Sequence, residues 1–178
     1  MTINYRTWSL GEIVTADMLN AEIRDNGNAL VASISDKPLC YLWDASQSCT
    51  NNTITEISAW NQTLEDTDGF HSGTNTYMTI PAGMSGYYMV TVYGYWNSHS
   101  SAGKRRMVGL DRRSVDNPLS SLYRWVESPN DDQNDYFHQE MTILMHLLAG
   151  DTLRAVLLQN SGTSLTFTAS QFSIIKVA

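Results

Sequence analysis

The stretch Tyr87-Tyr88-Met89-Val90-Thr91-Val92-Tyr93-Gly94-Tyr95-Trp96, residues 87–96, decides the fold. It is rich in aromatic and β-branched residues, which favour extended backbone. Its two alternating faces are both apolar: Tyr87, Met89, Thr91, Tyr93 and Tyr95 lie on one, and Tyr88, Val90, Val92 and Trp96 on the other. A strand covered on both sides follows. A single sandwich core can bury only one of these faces, so the other requires a partner surface.

Outward from this strand, residues 140–148 and 152–158 read as two strands around a tight Gly150-Asp151 turn, a hairpin. Residues 164–168 and 171–177 read as two more short strands, and others are expected at 39–43, 54–60, 77–80, 106–112 and 122–126. Eight to ten short strands with polar, Gly- and Asn-containing turns and no helices between them predict an antiparallel sandwich. No internal repeat and no low-complexity segment is visible.

The chain has 178 residues, 42% of them hydrophobic, which suits one domain or one domain with a short appendage. A net charge of −7 argues against nucleic-acid binding, which needs clustered Lys and Arg. The basic cluster Lys104-Arg105-Arg106, followed by Arg112-Arg113, is expected to face solvent or to pair with carboxylates. No apolar run approaches the ~20 residues that span a bilayer, so membrane insertion is not expected. The opening MTINYRTWSL lacks the basic start and apolar stretch of a signal peptide, so the expected place of synthesis and release is the cytoplasm. Cys40 and Cys49 could bridge across a hairpin under oxidant, but without a secretion signal two thiols are expected.

The segment TWSLGEIVTADMLNAEIRDN, residues 7–26, stands apart from the β pattern. Thr15 suits a helix N-cap and Asp17 puts negative charge at the positive helix end, so a helix is expected to start near Ala16. Leu19, Ile23, Leu30 and Ile34 form a narrow apolar stripe interrupted by Asn26. Gly27 costs a helix about 1 kcal/mol relative to Ala, so a break is expected across residues 25–28. So short a helix must pack either on its own domain or on copies of itself.

Several short motifs recur in a telling order: Gly69-Phe70, Tyr77, Ile80-Pro81-Ala82-Gly83 leading into Gly86-Tyr87-Tyr88, then Leu147-Leu148-Ala149-Gly150-Asp151-Thr152-Leu153, and Ser170-Gln171-Phe172-Ser173. This succession resembles the globular head of complement-like and tumour-necrosis-factor-like proteins across residues 39–178. The resemblance implies a mainly β fold, an antiparallel jelly-roll sandwich of about ten strands. It also implies a homotrimer about a threefold axis with aromatic side chains between protomers. Tyr87, Tyr93, Tyr95, His146 and Phe172 are the candidate interface or core residues. Extra length between Asp111 and His138 departs from that pattern.

Trp8, Gly11, Glu12, Val14-Thr15-Ala16, Leu19-Asn20 and Ile23-Arg24-Asp25-Asn26 resemble the N-terminal segment of tail-fibre, minor-tail and other appendage proteins of tailed bacteriophages. That resemblance implies a segment, residues 1–38, that docks onto other virion proteins or begins a trimeric stalk, with Trp8, Leu19 and Ile23 as docking contacts. Asn26 on the stripe suits a register-fixing role.

Catalysis is not expected: His71, His99, His138 and His146 are scattered, none beside a recognisable nucleophile motif. His146, in an apolar strand, is expected to be a hydrogen-bonded core residue or an axis residue of the trimer. The acidic runs 65–69 and 131–135 lack the EF-hand spacing and read as solvated turns; no metal or cofactor is expected. For recognition, residues 97–103 and 128–136 are the longest polar connections, with His99, Trp125, Asp131, Asp132 and Asp135 as candidate receptor contacts. Trp96 and Trp125 suit sugar stacking, but a core or trimer-interface position is the favoured reading for both.

The expected function is a structural virion protein, a trimeric fibre or appendage whose head is a candidate binder of a host-surface glycan or protein. The alternatives are a capsid decoration or head-fibre protein without a receptor role, and a free-standing bacterial complement-like lectin.

Overall fold

The computed structural model describes residues 15–20, 23–24, 28, 37–58, 60–98, 104–116, 121–130 and 137–177. The chain divides into two compact units, Met1–Lys37 and Pro38–Ala178.

In the first unit residues 16–20, 23–24 and 28 are helical. Thr15 is the N-cap: its Oγ1 accepts from the Met18 N–H at 3.3 Å, and its carbonyl accepts the first helical bond from Leu19 at 3.1 Å. Of the break expected across residues 25–28, residues 25–27 lie outside the described residues and Asn28 is helical, contrary to the expectation. Trp8, Leu30 and Ile34 also lie outside them.

The second unit is a sandwich of two antiparallel sheets. Among the described residues its strands are β1 (Leu39–Trp43), β2 (Ala45–Cys49), β3 (Thr55–Glu56), β4 (Gln62–Asp66), β5 (Met78–Thr79), β6 (Gly86–Trp96), β7 (Lys104–Arg113), β8 (Ser121–Asn130), β9 (Phe137–Leu147), β10 (Thr152–Gln159) and β11 (Leu165–Lys176). The first sheet runs β4-β1-β11-β6-β9, with β2 also pairing β11; the second runs β3-β10-β7-β8, with β5 also pairing β10. Period-two alternation selects the core: Tyr88, Val90, Val92 and Trp96 from β6 meet Val108 and Leu110 from β7 and Leu153, Ala155 and Leu157 from β10.

Three features depart from the sequence reading. First, the two strands expected at 164–168 and 171–177 are one strand, β11, with a bulge between Ala169 and Gln171. The bulge shifts the alternation, so Phe167 and Ala169 before it and Phe172 and Ile174 after it all point into the core. Second, β2 (ASQSC) and β4 (QTLED) were not anticipated, because neither carries an apolar alternation. Third, residues 140–158 do not form a hairpin: β9 pairs β6 in the first sheet, whereas β10 pairs β7, β3 and β5 in the second.

The Gly150-Asp151 turn is therefore a corner between sheets. Gly150 sits at φ +89°, where a side chain would be strained. The fully buried Asp151 carboxylate holds the corner: Oδ2 accepts from the Leu148 N–H at 3.0 Å and from Arg112 Nε and Nη2 at 2.9 and 2.6 Å. Oδ1 accepts from the Val115 N–H at 2.9 Å.

Gly94 has no room for a side chain. A Cβ there would lie 2.4 Å from the Thr168 carbonyl oxygen and 2.5 Å from the Phe167 ring. Since one obstacle is backbone of the neighbouring strand, Gly94→Ala is expected to destabilise the head by about 3 kcal/mol, read as a lowered urea midpoint with unchanged slope.

The cysteines are free thiols, both fully buried. Cys40 stands opposite Ile174 and Cys49 opposite Leu165, nine residues apart along β11, roughly 30 Å. No hairpin brings them within disulfide reach. Burial, with Asp66 adding to it, pushes the Cys40 thiol up to about 12, and burial raises Cys49 as well. A thiol reagent at pH 8 is expected to modify neither in the native protein and both in denaturant; prompt native labelling would contradict this placement.

Candidate interaction face

The core takes one face of β6 and leaves the other uncovered. Register carries this outer face across the first sheet in rows. Met89 stands opposite Leu144 of β9 and Ile175 of β11, and Ile175 stands opposite Leu39 of β1, giving an apolar row four strands wide. Leu144 is 62% exposed, Tyr87 50% and Met89 44%, far more than single surface apolar residues require for packing. Beside them Tyr87 packs edge-on against His146, with ring centroids 5.0 Å apart.

Farther along β6 the face becomes polar. Thr91 and Thr142 hydroxyls are 2.9 Å apart, and Thr142 Oγ1 donates to Glu140 at 3.0 Å. Tyr93 stacks on His138, its Oη 3.0 Å from Nδ1, and Tyr95 lies against the same imidazole. At the opposite side of the sheet Leu39, Tyr41, Glu65, Ser173 and Ile175 line a shallow groove of about 250 Å³.

Tyr87, Tyr93, Tyr95 and His146 thus share one exposed face, and Phe172 lies on the opposite side in the core. His146 is not a core residue: the alternation of β9 turns it outward, beside Tyr87. Leu39, Leu144 and Ile175 escaped the sequence reading. Residues 140–148 are apolar at both parities, so only pairing with Met89 reveals which side Leu144 takes.

The outer face of the second sheet has a different character, because its charges pair with one another. Arg113 reaches Glu56 and Asp111 at 3.1 Å each, Arg154 reaches Glu56 at 3.3 Å and covers the Tyr77 ring, and Arg105 pairs with Glu127 at 2.9 Å. Trp125 is half-buried against Gly109, whose added Cβ would lie 2.5 Å from the indole ring. Trp96 is core, its Nε1 donating to the Gln139 amide oxygen at 3.0 Å. His99, Asp131, Asp132 and Asp135 lie outside the described residues, as does Trp8; Leu19 and Ile23 are exposed on their own unit.

The basic cluster departs from expectation at one position. Arg105 pairs as anticipated, but Arg106 does not face solvent and meets no carboxylate among the described residues, because alternation on β7 turns it inward with Val108 and Leu110. In the acidic run 65–69 the Asp66 carboxylate accepts from the N–H groups of Gly69, Phe70 and His71, at 2.8–2.9 Å, and so closes a turn. Among the described residues no three His, Cys, Asp or Glu side chains stand together as a metal site, and no helix is long and apolar enough to cross a membrane.

No family profile and no curated protein matches this sequence. Solved structures do match the fold. The globular domain of zebrafish complement 1qA protein aligns with 80% of this chain and 98% of its own, at 13% identity and TM-score 0.57. Eiger TNF from S. frugiperda aligns with 80% of this chain and 93% of its own, at 14% identity and TM-score 0.55. The PRD1 vertex protein P5 aligns with 78% of this chain and 97% of its own, at 14% identity and TM-score 0.56. At such identities the likeness establishes a jelly roll of complement and tumour-necrosis-factor type, and the fold alone.

Proposed function

We propose that this chain is a structural protein of a tailed-bacteriophage particle, a homotrimeric appendage that docks through its N-terminal segment and displays the jelly-roll head. The observation that carries the trimer is the uncovered outer face of the first sheet, from β9 and β6 across β11 to β1. A cyclic trimer joins two different patches of each copy, and this face offers two. The ridge of Leu144, Met89 and Tyr87 is one, and the groove lined by Leu39, Tyr41 and Ile175 is the other. The N-terminal motif between Trp8 and Asn26 supports the phage assignment. The vertex protein among the fold neighbours favours, as a second reading, a capsid-vertex or decoration site over the tail. Immunogold electron microscopy of the producing particle, with label on the head, separates the two; label on neither would defeat the virion reading.

Removing residues 1–35 is expected to leave a folded trimeric head that no longer enters particles, with Trp8, Leu19 and Ile23 supplying the lost contacts. Truncated protein retained at normal copy number would mean that the head itself attaches. A receptor role belongs to the connections 97–103 and 131–136, residues 128–130 of the expected second connection being the end of β8. Strands β1 and β11 join Leu39 to Ile175 at one end of the sandwich, and the two connections flank the other ends of β6, β7, β8 and β9. Saturable binding of isolated heads to host cells, weakened by substitution at His99, Trp125, Asp131, Asp132 or Asp135, is the expected result for a receptor binder. Its absence favours decoration.

A further inference from the structure

Arg106 is 1% exposed, and neither its Nε nor its Nη1 has a hydrogen-bond partner. Its position on β7, two residues before Val108 and four before Leu110, aims the guanidinium between the sheets, at the sandwich end where β7 begins and β10 closes. The amides around it are already committed. Gln139 accepts from Trp96 Nε1 and donates to the Arg106 and Val126 carbonyls, while Gln159, opposite Arg106 in register, accepts from the Ser161 N–H and donates to the Cys49 and Thr163 carbonyls. No carboxylate among the described residues pairs with Arg106, and burial disfavours its charged form. An arginine does not shed its proton in a protein, so the charge persists and requires a counter-charge. A buried water would satisfy the N–H groups and leave the charge unbalanced.

We propose that Arg106 is the base of a small-anion site inside the head, occupied from solution by a monovalent anion of the halide class, which locks β7 to β10 at that end of the sandwich. An anion held only by the folded state stabilises by mass action. In a titration replacing sodium gluconate by sodium chloride at fixed ionic strength, the Tm of the full chain is expected to rise by roughly 3–6 °C per tenfold increase above the Kd. Arg106→Met is expected to abolish the dependence and Arg106→Lys to keep part of it. Crystals grown with bromide provide a readout that needs no variant: an anomalous peak within about 3.5 Å of Nε or Nη1 is expected. A Tm indifferent to chloride together with no bromide peak overturns the proposal, as does an equal chloride response in Arg106→Met. A chloride-indifferent parent that loses stability when Asp131, Asp132 and Asp135 are changed to Asn also overturns it, by assigning the counter-charge to the chain.

Discussion

Asp151→Ala is expected to cost the head about 3–5 kcal/mol, the largest single-residue effect in the protein. The carboxylate is fully buried and satisfies the Leu148 and Val115 N–H groups and the Arg112 fork, so its loss leaves four donors without an acceptor and a guanidinium without its counter-charge. Guanidinium-chloride unfolding reads the cost directly; a change below about 1 kcal/mol would mean that the corner is held by backbone bonds alone. The same site has a pH signature. Burial opposes ionisation, but the two backbone N–H groups and Arg112 outweigh it, and the net pKa lies below the ordinary 3.8. A carboxyl depressed on folding contributes its stability above the unfolded pKa and loses it as pH falls through the folded value. That contribution is therefore intact at neutral pH and disappears only below about pH 4, and Asp151→Asn is expected to remove that part of the acid limb.

Charging the outer face is expected to take the assembly apart. Met89→Asp with Leu144→Asp places two carboxylates per copy in the apolar row, six around a trimer, each costing several kcal/mol if buried unpaired. Sedimentation at micromolar concentration is expected to fall from about 60 kDa, three times the 19.9 kDa chain, to that of one chain. The monomer should keep its far-ultraviolet spectrum, because both side chains point away from the core. Ile54→Asp, exposed just before β3 on the other sheet, serves as the control and is expected to leave the trimer intact. A double variant that sediments like the parent would show that the copies meet elsewhere.

The parts of this architecture that were legible in the sequence are those fixed by local alternation. Strand β6 declares itself because its aromatic and β-branched residues fill both parities, and that surplus already demanded a second covering surface. Thr15 marked its helix start because capping is a matter of one hydroxyl and one N–H. What was not legible depends on partners far along the chain. Gly150-Asp151 has the same turn chemistry whether its strands pair or part, and only the pairing of Thr152 with Arg113 and of Leu147 with Gly86 sends β10 and β9 into different sheets. The bulge in β11 looked like a break because one extra residue reverses the apolar parity between Ala169 and Phe172. Ser-rich β2 exists because β11 offers it a ladder, and Arg106 could not be told from its charged neighbours until parity on β7 turned it inward.

The strand order of the first sheet also sets a timetable. Strand β11 lies between β1 and β6, so β4-β1 on one side and β6-β9 on the other have no shared edge until residues 165–176 arrive. Leu39 and its partner Ile175 are separated by 136 residues of synthesis, roughly 7–27 s at common translation rates. Within that interval half-sheets with open, hydrogen-bonding edges accumulate, β4-β1 once residue 66 is made and β6-β9 only once residue 147 is made, the latter bearing the apolar side of β6 that later faces the core. Closure of the sandwich is then a late event gated by the ribosome, and copies can align their outer faces only after it. Any trimer of the proposed kind would draw on heads completed one by one, and crowded nascent chains would be the stage most exposed to mispairing between neighbours.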